Sequence, residues 1–228
     1  MPVTSPTYRV SCRRKRSAIA RSSIGSRVAS EALGRGHEVT AATRSGAAAA
    51  LPEHDSLTSL ALDASVPAKV AEAADGHDVV VSAVSPPRDG SDPAAPLLAL
   101  YRSICAGLRT AGVRRLVVVG GVGSLTTASG LDRVDTPDFP APYMGEALAH
   151  REVLRLLRAE VDDLEWTCLS PADEIAPGER TGTFRLGGDE LLTAEDGSSF
   201  ISAEDYAVAL VDEVEKGEAI RRRITLAY

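Results

Sequence analysis

Ser22, Ser23 and Gly25 stand at the head of the stretch "SSIGSRVASEALGRG". Small polar residues where a helix begins leave backbone N–H groups and the positive end of the helix dipole free for an anion, which is the chemistry of a phosphate contact. Loops that deliver a dinucleotide to such a helix usually carry three glycines, whereas Ser17 to Gly25 contains one. A second stretch, "VVVGGVGS", sets Gly120, Gly121, Gly123 and Ser124 after an apolar run. Residues this small let a ligand approach the backbone, although a tight turn uses glycine too. Cys12, Cys105 and Cys168 are widely separated and form neither a CxxC pair nor a ligand cluster with the four histidines, so metal chemistry is not expected.

Such residues need strands and helices to position them. Ile24, Val28, Ala32 and Leu33 share one helical face, and Gly36 follows as the cap. "HEVTAATR", "LTSLALDA", "HDVVVSAV", "RRLVVVGG" and "LEWTCLSP" read as strands. Several are continuous apolar runs, as in a parallel sheet covered on both faces. "PAKVAEAADG", "APLLALYRSICAGLRTAG" and "EALAHREVLRLLRAE" read as intervening helices, predicting a β, α, β, α order throughout. After Pro171 the glycine-rich and charged stretch "ADEIAPGERTGTFRLGGDELLTAEDGSSF" predicts loops and short hairpin strands. "SAEDYAVALVDEVEKG" then predicts a helix with Ser202 at its N-cap, and "RRRITLAY" a last strand. Trp166 and Cys168 alternate in a strand and read as core.

The start of the chain is at odds with this scheme. A doubly wound sheet needs a central apolar strand just before the first helix, yet "CRRKRSAIARSS" occupies that place. Four consecutive cations would be costly in a strand buried on both faces. "TYRVSC" at 7 to 12 alternates like a strand and is the alternative; otherwise residues 1–23 form an atypical leader, disordered or out of frame, ahead of a single domain at 24–228.

A net charge of −7 with 44% hydrophobic residues in 228 describes one globular domain with no general affinity for nucleic acid or anionic membranes. "RRKR" at 13 to 16 is a local exception that reads as a nucleic-acid or targeting patch or, more commonly for four residues, as solvated surface. No apolar run approaches the roughly 18 residues that span a bilayer, and the first 25 residues lack the apolar segment of a signal peptide. A cytoplasmic protein, monomer or homodimer, is expected.

The stretches "IGSRVASEALGRGHEVTAATRS", "GHDVVVSAVSPP", "AGVRRLVVVGGVGSL", "DTPDFPAPYMGEALAHREVLRLLR", "LEWTCLSPADEIAPGERTGTFRLGGDELL" and "ISAEDYAVALVDEVE" together resemble the atypical short-chain dehydrogenase/reductase group. Within it they are similar to small NAD(P)H-binding proteins described as NADH-flavin reductases. The resemblance implies a Rossmann-like fold. The family's G-A-T-G falls on Ile19, Ala20, Arg21 and Ser22, and only the later Gly25 matches its glycines, so the phosphate loop reads as damaged.

By the same resemblance, Arg44 and Ser45 after the second strand favour the 2′-phosphate of NADP(H) over NAD(H), the alternative being a surface arginine. Asp63 faces the adenine edge or else bonds its own turn. Ser82, Ala83, Val84, Gly120, Gly121 and Pro171 line the rest of the cofactor rim together with Ser22, Ser23, Ile24 and Gly25. Ser124 and Tyr143 match the serine and tyrosine of the wider superfamily's catalytic set, but Ala147 stands where the lysine belongs. Without that cation a tyrosine is a poor acid at neutral pH. The implied reaction is therefore hydride transfer from NAD(P)H to a flavin, quinone or similar small acceptor, which needs no protein acid. A non-catalytic NADP(H) sensor is the alternative, and a sugar epimerase or dehydratase the third. His150 reads as a proton donor or, as the commoner case on a charged helix face, a solvated residue, and Glu179 and Arg180 as a substrate contact or a pair within their loop.

Overall fold

The computed structural model describes residues 16–20, 23–46, 51, 53–86 and 92–228. Its first half runs β1 (Arg16–Ala20), α1 (Ser23–Gly34), β2 (Glu38–Thr43), β3 (Leu57–Ala61), α2 (Pro67–Ala74), β4 (Val79–Ser82), α3 (Ala94–Ala111) and β5 (Arg115–Val119). The second half runs α4 (Met144–Glu160), β6 (Glu165–Ser170), β7 (Glu174–Ala176), β8 (Arg185–Gly187), β9 (Phe200–Ser202), α5 (Ala203–Lys216) and β10 (Arg222–Ala227).

Eight strands form one sheet in the order β3-β2-β1-β4-β5-β6-β10-β8, parallel except for β8. The strand order reverses between β1 and β4, which makes this a Rossmann-like doubly wound sheet with its crevice at that point. β1 pairs with β2 along its whole length and with β4 through Ser17, Ala18 and Ile19. Of the four consecutive cations only Arg16 lies in this strand, at its first position, so the feared run of buried charge does not enter the described sheet. The strand candidate at 7 to 12 lies outside the described residues.

Helices close both faces. Val28, Ala29, Ala32 and Leu33 of α1 pack with Leu210, Val211 and Val214 of α5 over Val39, Val81 and Val117. On the other face Tyr101, Ile104 and Leu108 of α3 meet Val153, Leu154 and Leu157 of α4 over Leu116, Val118, Trp166 and Cys168. Gly36 ends α1 at φ +82°, with its own N–H to the Leu33 carbonyl and that of His37 to the Ala32 carbonyl, closing the last turn. Ser202 caps α5 by accepting from the Asp205 N–H at 3.0 Å.

Two expectations are corrected. β2 and β3 follow each other with no helix among the described residues between them, so the alternation is broken there. β7 and β9 pair in parallel as a separate two-stranded sheet, and β8 pairs antiparallel with β10, so the stretch after Pro171 holds no hairpin. Local turn residues suggested hairpins, but the open edge of β10 and the loop ahead of α5 took these strands as long-range partners.

At the amino-terminal edge of the sheet, the buried guanidinium of Arg115 donates to Glu213 Oε1 at 2.6 Å and to Thr167 Oγ1 at 2.8 Å. A cavity of about 510 Å³ adjoins it, where Arg115 and Lys216 are already paired with Glu213 and Asp212. Removing one member of a buried ion pair leaves the other uncompensated, at a cost of about 3–5 kcal/mol. Glu213→Ala is therefore expected to lower the unfolding free energy measured in urea by that magnitude, whereas Glu160→Ala, which breaks an exposed pair with Arg102, is expected to leave it within about 1 kcal/mol.

Candidate functional site

Open α/β sheets bind ligands beyond the carboxyl ends of their strands at the point of reversal. Here that point is where β1 hands the chain to α1, whose first residue is Ser23 and whose first turn carries no acid to repel an anion. Arg21 and Ser22 lie outside the described residues, as does the side chain of Ser23. Gly25 is buried, and Ile24 packs against the core beneath α5.

Arg44 and Ser45 are exposed just past β2. Asp63 sits nearby after β3, where Ser65 donates to its Oδ1 from both N–H (3.1 Å) and hydroxyl (2.6 Å). These bonds, with the Lys69 and Arg44 charges behind them, hold the Asp63 carboxyl below its usual range. The turn-forming reading of Asp63 is thus realised in the geometry, and Arg44 is close enough to act on it.

At the ends of β4 and β5 the picture differs from expectation. Ser82 and Ala83 are buried, and the Ser82 hydroxyl donates to Tyr101 Oη at 3.2 Å. A Cβ on Gly120 would lie 2.7 Å from Cys168 Sγ; on Gly121, 3.0 Å from His150 Cβ; on Gly123, 2.8 Å from Ala147 Cβ. These glycines are small because β6 and α4 press on them, and none has positive φ. Close packing of the protein on itself, as much as room for a ligand, accounts for "GGVG".

Ser124 and Tyr143 stand in different surroundings. The Ser124 hydroxyl accepts from Arg223 Nη1 at 2.9 Å, and the same nitrogen donates to the Ser124 carbonyl at 2.7 Å. Arg223 is itself clamped by Asp189, at 2.7 Å through Nε. Tyr143 is 55% exposed, and Ala147, four residues on, packs against Val134 and Phe139. Pro171 follows β6, and the next two residues lead to Asp173, which grips the buried Arg133 through two bonds of 2.8 and 2.9 Å. Arg133 also lies over the Phe139 ring, so the segment between β5 and α4 is locked to the end of β6.

The "PGERTG" loop is tied to α1 and to the start of α5. Arg180 makes two bonds of 2.8 Å to Glu31 of α1, and Gly178 N–H donates to Glu204, which also holds Arg27 of α1. Arg180 and Glu179 therefore do not pair with each other; Glu179 offers its carbonyl to Ser202 Oγ. Asp205 anchors the loop's end by accepting from Thr181, Gly182 and Tyr228. Burial pushes the Asp205 carboxyl up, but these donors prevail and hold it below the usual range.

Several residues that matter escaped sequence reasoning: Arg133, Asp173, Arg223, Asp189 and Asp205. Only Arg223 left a trace, since the period of two in "RRRITLAY" puts it on one face with Thr225 and Ala227, both buried. His150 is corrected: it is buried, not solvated, because Gly121 lets the end of β5 cross directly over it. Burial pushes its pKa below the usual histidine range, partly offset by Glu146 one turn earlier. Its Nδ1 and the Ser170 hydroxyl are both sealed from solvent without a partner, on either side of Gly120 and Gly121. A dinucleotide fits the chemistry of this rim: a helix N-terminus without an acid and an exposed arginine past β2. Among the described residues no cluster of histidine, cysteine or acid could hold a metal ion, and no helix is long and apolar enough to cross a membrane.

Comparison with known proteins agrees with the geometry. The family model described as NAD(P)H-binding matches residues 20–216. A solved protein from Burkholderia pseudomallei, named as a proposed exported protein, is 45% identical with a TM-score of 0.82, covering 94% of this chain and 100% of its own. One from Bacteroides thetaiotaomicron, named as a proposed epimerase, is 35% identical with a TM-score of 0.85, over 95% and 98%. One from Streptococcus pneumoniae, named as a proposed NADH-flavin reductase, is 34% identical with a TM-score of 0.74, over 93% and 99%.

Two outcomes are expected. Gly120→Ala and Gly121→Ala each overpack a closed interface and should lose about 1–3 kcal/mol in urea unfolding. Because the folded-state pKa of His150 is depressed, stability is complete above the ordinary histidine value near 6.5 and is lost as pH falls through the lower folded value. His150→Gln should flatten that acid-side loss in thermal melts between about pH 7 and pH 5.

Proposed function

This chain belongs to the NAD(P)H-binding family, and on that premise we propose that it is an NAD(P)H-dependent oxidoreductase passing hydride to a flavin, quinone or similar conjugated acceptor. The observation that carries this reading is the condition of Ser124 and Tyr143. The serine hydroxyl is engaged by a buried arginine, and the tyrosine is exposed, with alanine where an activating lysine would stand. Reduction of a simple carbonyl needs a positioned acid; a conjugated acceptor spreads the incoming charge and can be protonated from solvent.

The nicotinamide, when bound, supplies the hydride. The chain's part is to hold and orient. The first N–H groups of α1 would hold the pyrophosphate, and Arg44, exposed past β2, would pair with a 2′-phosphate and so favour NADP(H) over NAD(H). Arg133 with Asp173, and Arg180 with Glu31, pin the two loops that cover the acceptor side, keeping donor and acceptor in register.

One observation favours a second reading, an NADP(H)-binding regulator without turnover: Ile19, Ala20, Arg21 and Ser22 offer no glycine for close approach of the pyrophosphate. The epimerase reading suffers from the same missing lysine.

Steady-state NADPH oxidation with FMN and menadione decides between them. Turnover with either supports the reductase; tight NADPH binding with no acceptor reduced across a flavin and quinone panel favours the regulator. Arg44→Ala is expected to weaken NADPH by about tenfold or more, the size of one lost charge-assisted contact, while NADH affinity stays within twofold. Equal loss for both cofactors would remove Arg44 from the 2′-phosphate.

A further inference from the structure

Resting on that reductase reading, we propose that His150 presents its Nε2–H to the acceptor at the end of β5, and thereby selects acceptors that offer a carbonyl oxygen or ring nitrogen there. Three observations converge on it. The imidazole is buried in α4, yet its Nδ1 has no partner, and a leucine could fill the same space without leaving a polar atom unpaired. A Cβ placed on Gly121 would lie 3.0 Å from His150 Cβ, 3.5 Å from Cγ and 3.8 Å from Cδ2. The ring therefore turns its Cδ2–Nε2 edge toward the end of β5, with Nδ1 on the far, sealed edge. The other polar groups of the superfamily's catalytic set are engaged or exposed: Ser124 is held by Arg223, and Tyr143 is 55% exposed.

The tautomer follows from the same geometry. A neutral imidazole carries one proton, and placing it on Nδ1 would bury an unpaired donor, so Nε2 keeps it and can give a hydrogen bond. Burial keeps the ring neutral through the physiological range, and Glu146 is the charged group whose field reaches it. His150 thus acts by binding: it orients the acceptor, and the proton that completes reduction comes from solvent.

The test reads the histidine ring directly. In protein labelled with ¹⁵N at histidine and saturated with NADP⁺, FMN or menadione is expected to shift the His150 Nε2 resonance, assigned by its loss in His150→Gln. His37, bonded to Glu215 at 2.8 Å, and His77, bonded to Thr40 at 2.9 Å, serve as unmoved internal references. No shift of Nε2 at any concentration of either probe overturns the inference. His150→Leu should raise KM for both acceptors about tenfold with NADPH Kd unchanged, and His150→Gln, whose amide nitrogen reaches the Nε2 position, should recover most of it. A KM in His150→Leu within twofold of the parent also overturns it. Reduction of FMN or menadione without a shift sinks this inference alone, whereas a shift without any reduction supports the contact and sinks the reductase reading.

Discussion

The sheet, and with it the proposed cofactor site, depends on a five-residue strand, β1, being hydrogen-bonded on both edges. This strand joins the β2–β3 half of the sheet to the β4–β8 half, and it sets where α1 begins. A phosphate site made of backbone N–H groups has no side chain to correct its aim, so its position is only as good as the strand that delivers it. A strand of Ser, Ala, Ile and Ala after one arginine is a modest anchor for so central a place. The rest of the fold compensates: Gly178 and Arg27 share Glu204, and Arg180 holds Glu31, so α1 is tied to the segment after β6 and to α5 independently of β1.

The same economy marks the rest of the rim. Residues that look available in the sequence are mostly engaged with one another. Ser82 bonds Tyr101, Ser124 bonds Arg223, Asp63 bonds Ser65, and the three glycines after β5 accommodate Cys168, His150 and Ala147. What remains unsatisfied, the Ser170 hydroxyl and His150 Nδ1, flanks one short turn. A rim so internally paired has little capacity to move protons and a good capacity to hold planar groups at fixed positions.

Much of this architecture was legible in the sequence. Helices announced by period and cap, such as α1 with Gly36 and α5 with Ser202, stand where expected, because their signals are local. The short strands after Pro171 were legible as strands but not as pairs, since the partners of β7, β8 and β9 lie far along the chain and the turn residues between them allow more than one register. The site was legible in outline only. "GGVG" marks the end of β5, but nothing in its spelling says that helix α4 fills the missing side chains' space. His150 reads as surface because its helix carries Glu146, Arg151 and Glu152; the crossing of β5 that buries it is a tertiary fact. Arg133 and Asp173 are separated by 40 positions and join only once β5 and β6 are side by side.

Hydrogen exchange followed by mass spectrometry, with and without NADPH, reads both the strand and the helix it positions. The amides of Ser17 to Ala20 are expected to exchange as slowly as those of β4, with NADPH further slowing the first turn of α1. Rapid exchange of Ser17 to Ala20 with no change in α1 on adding NADPH would contradict this, because neither the central strand nor the phosphate site it carries would then exist in solution.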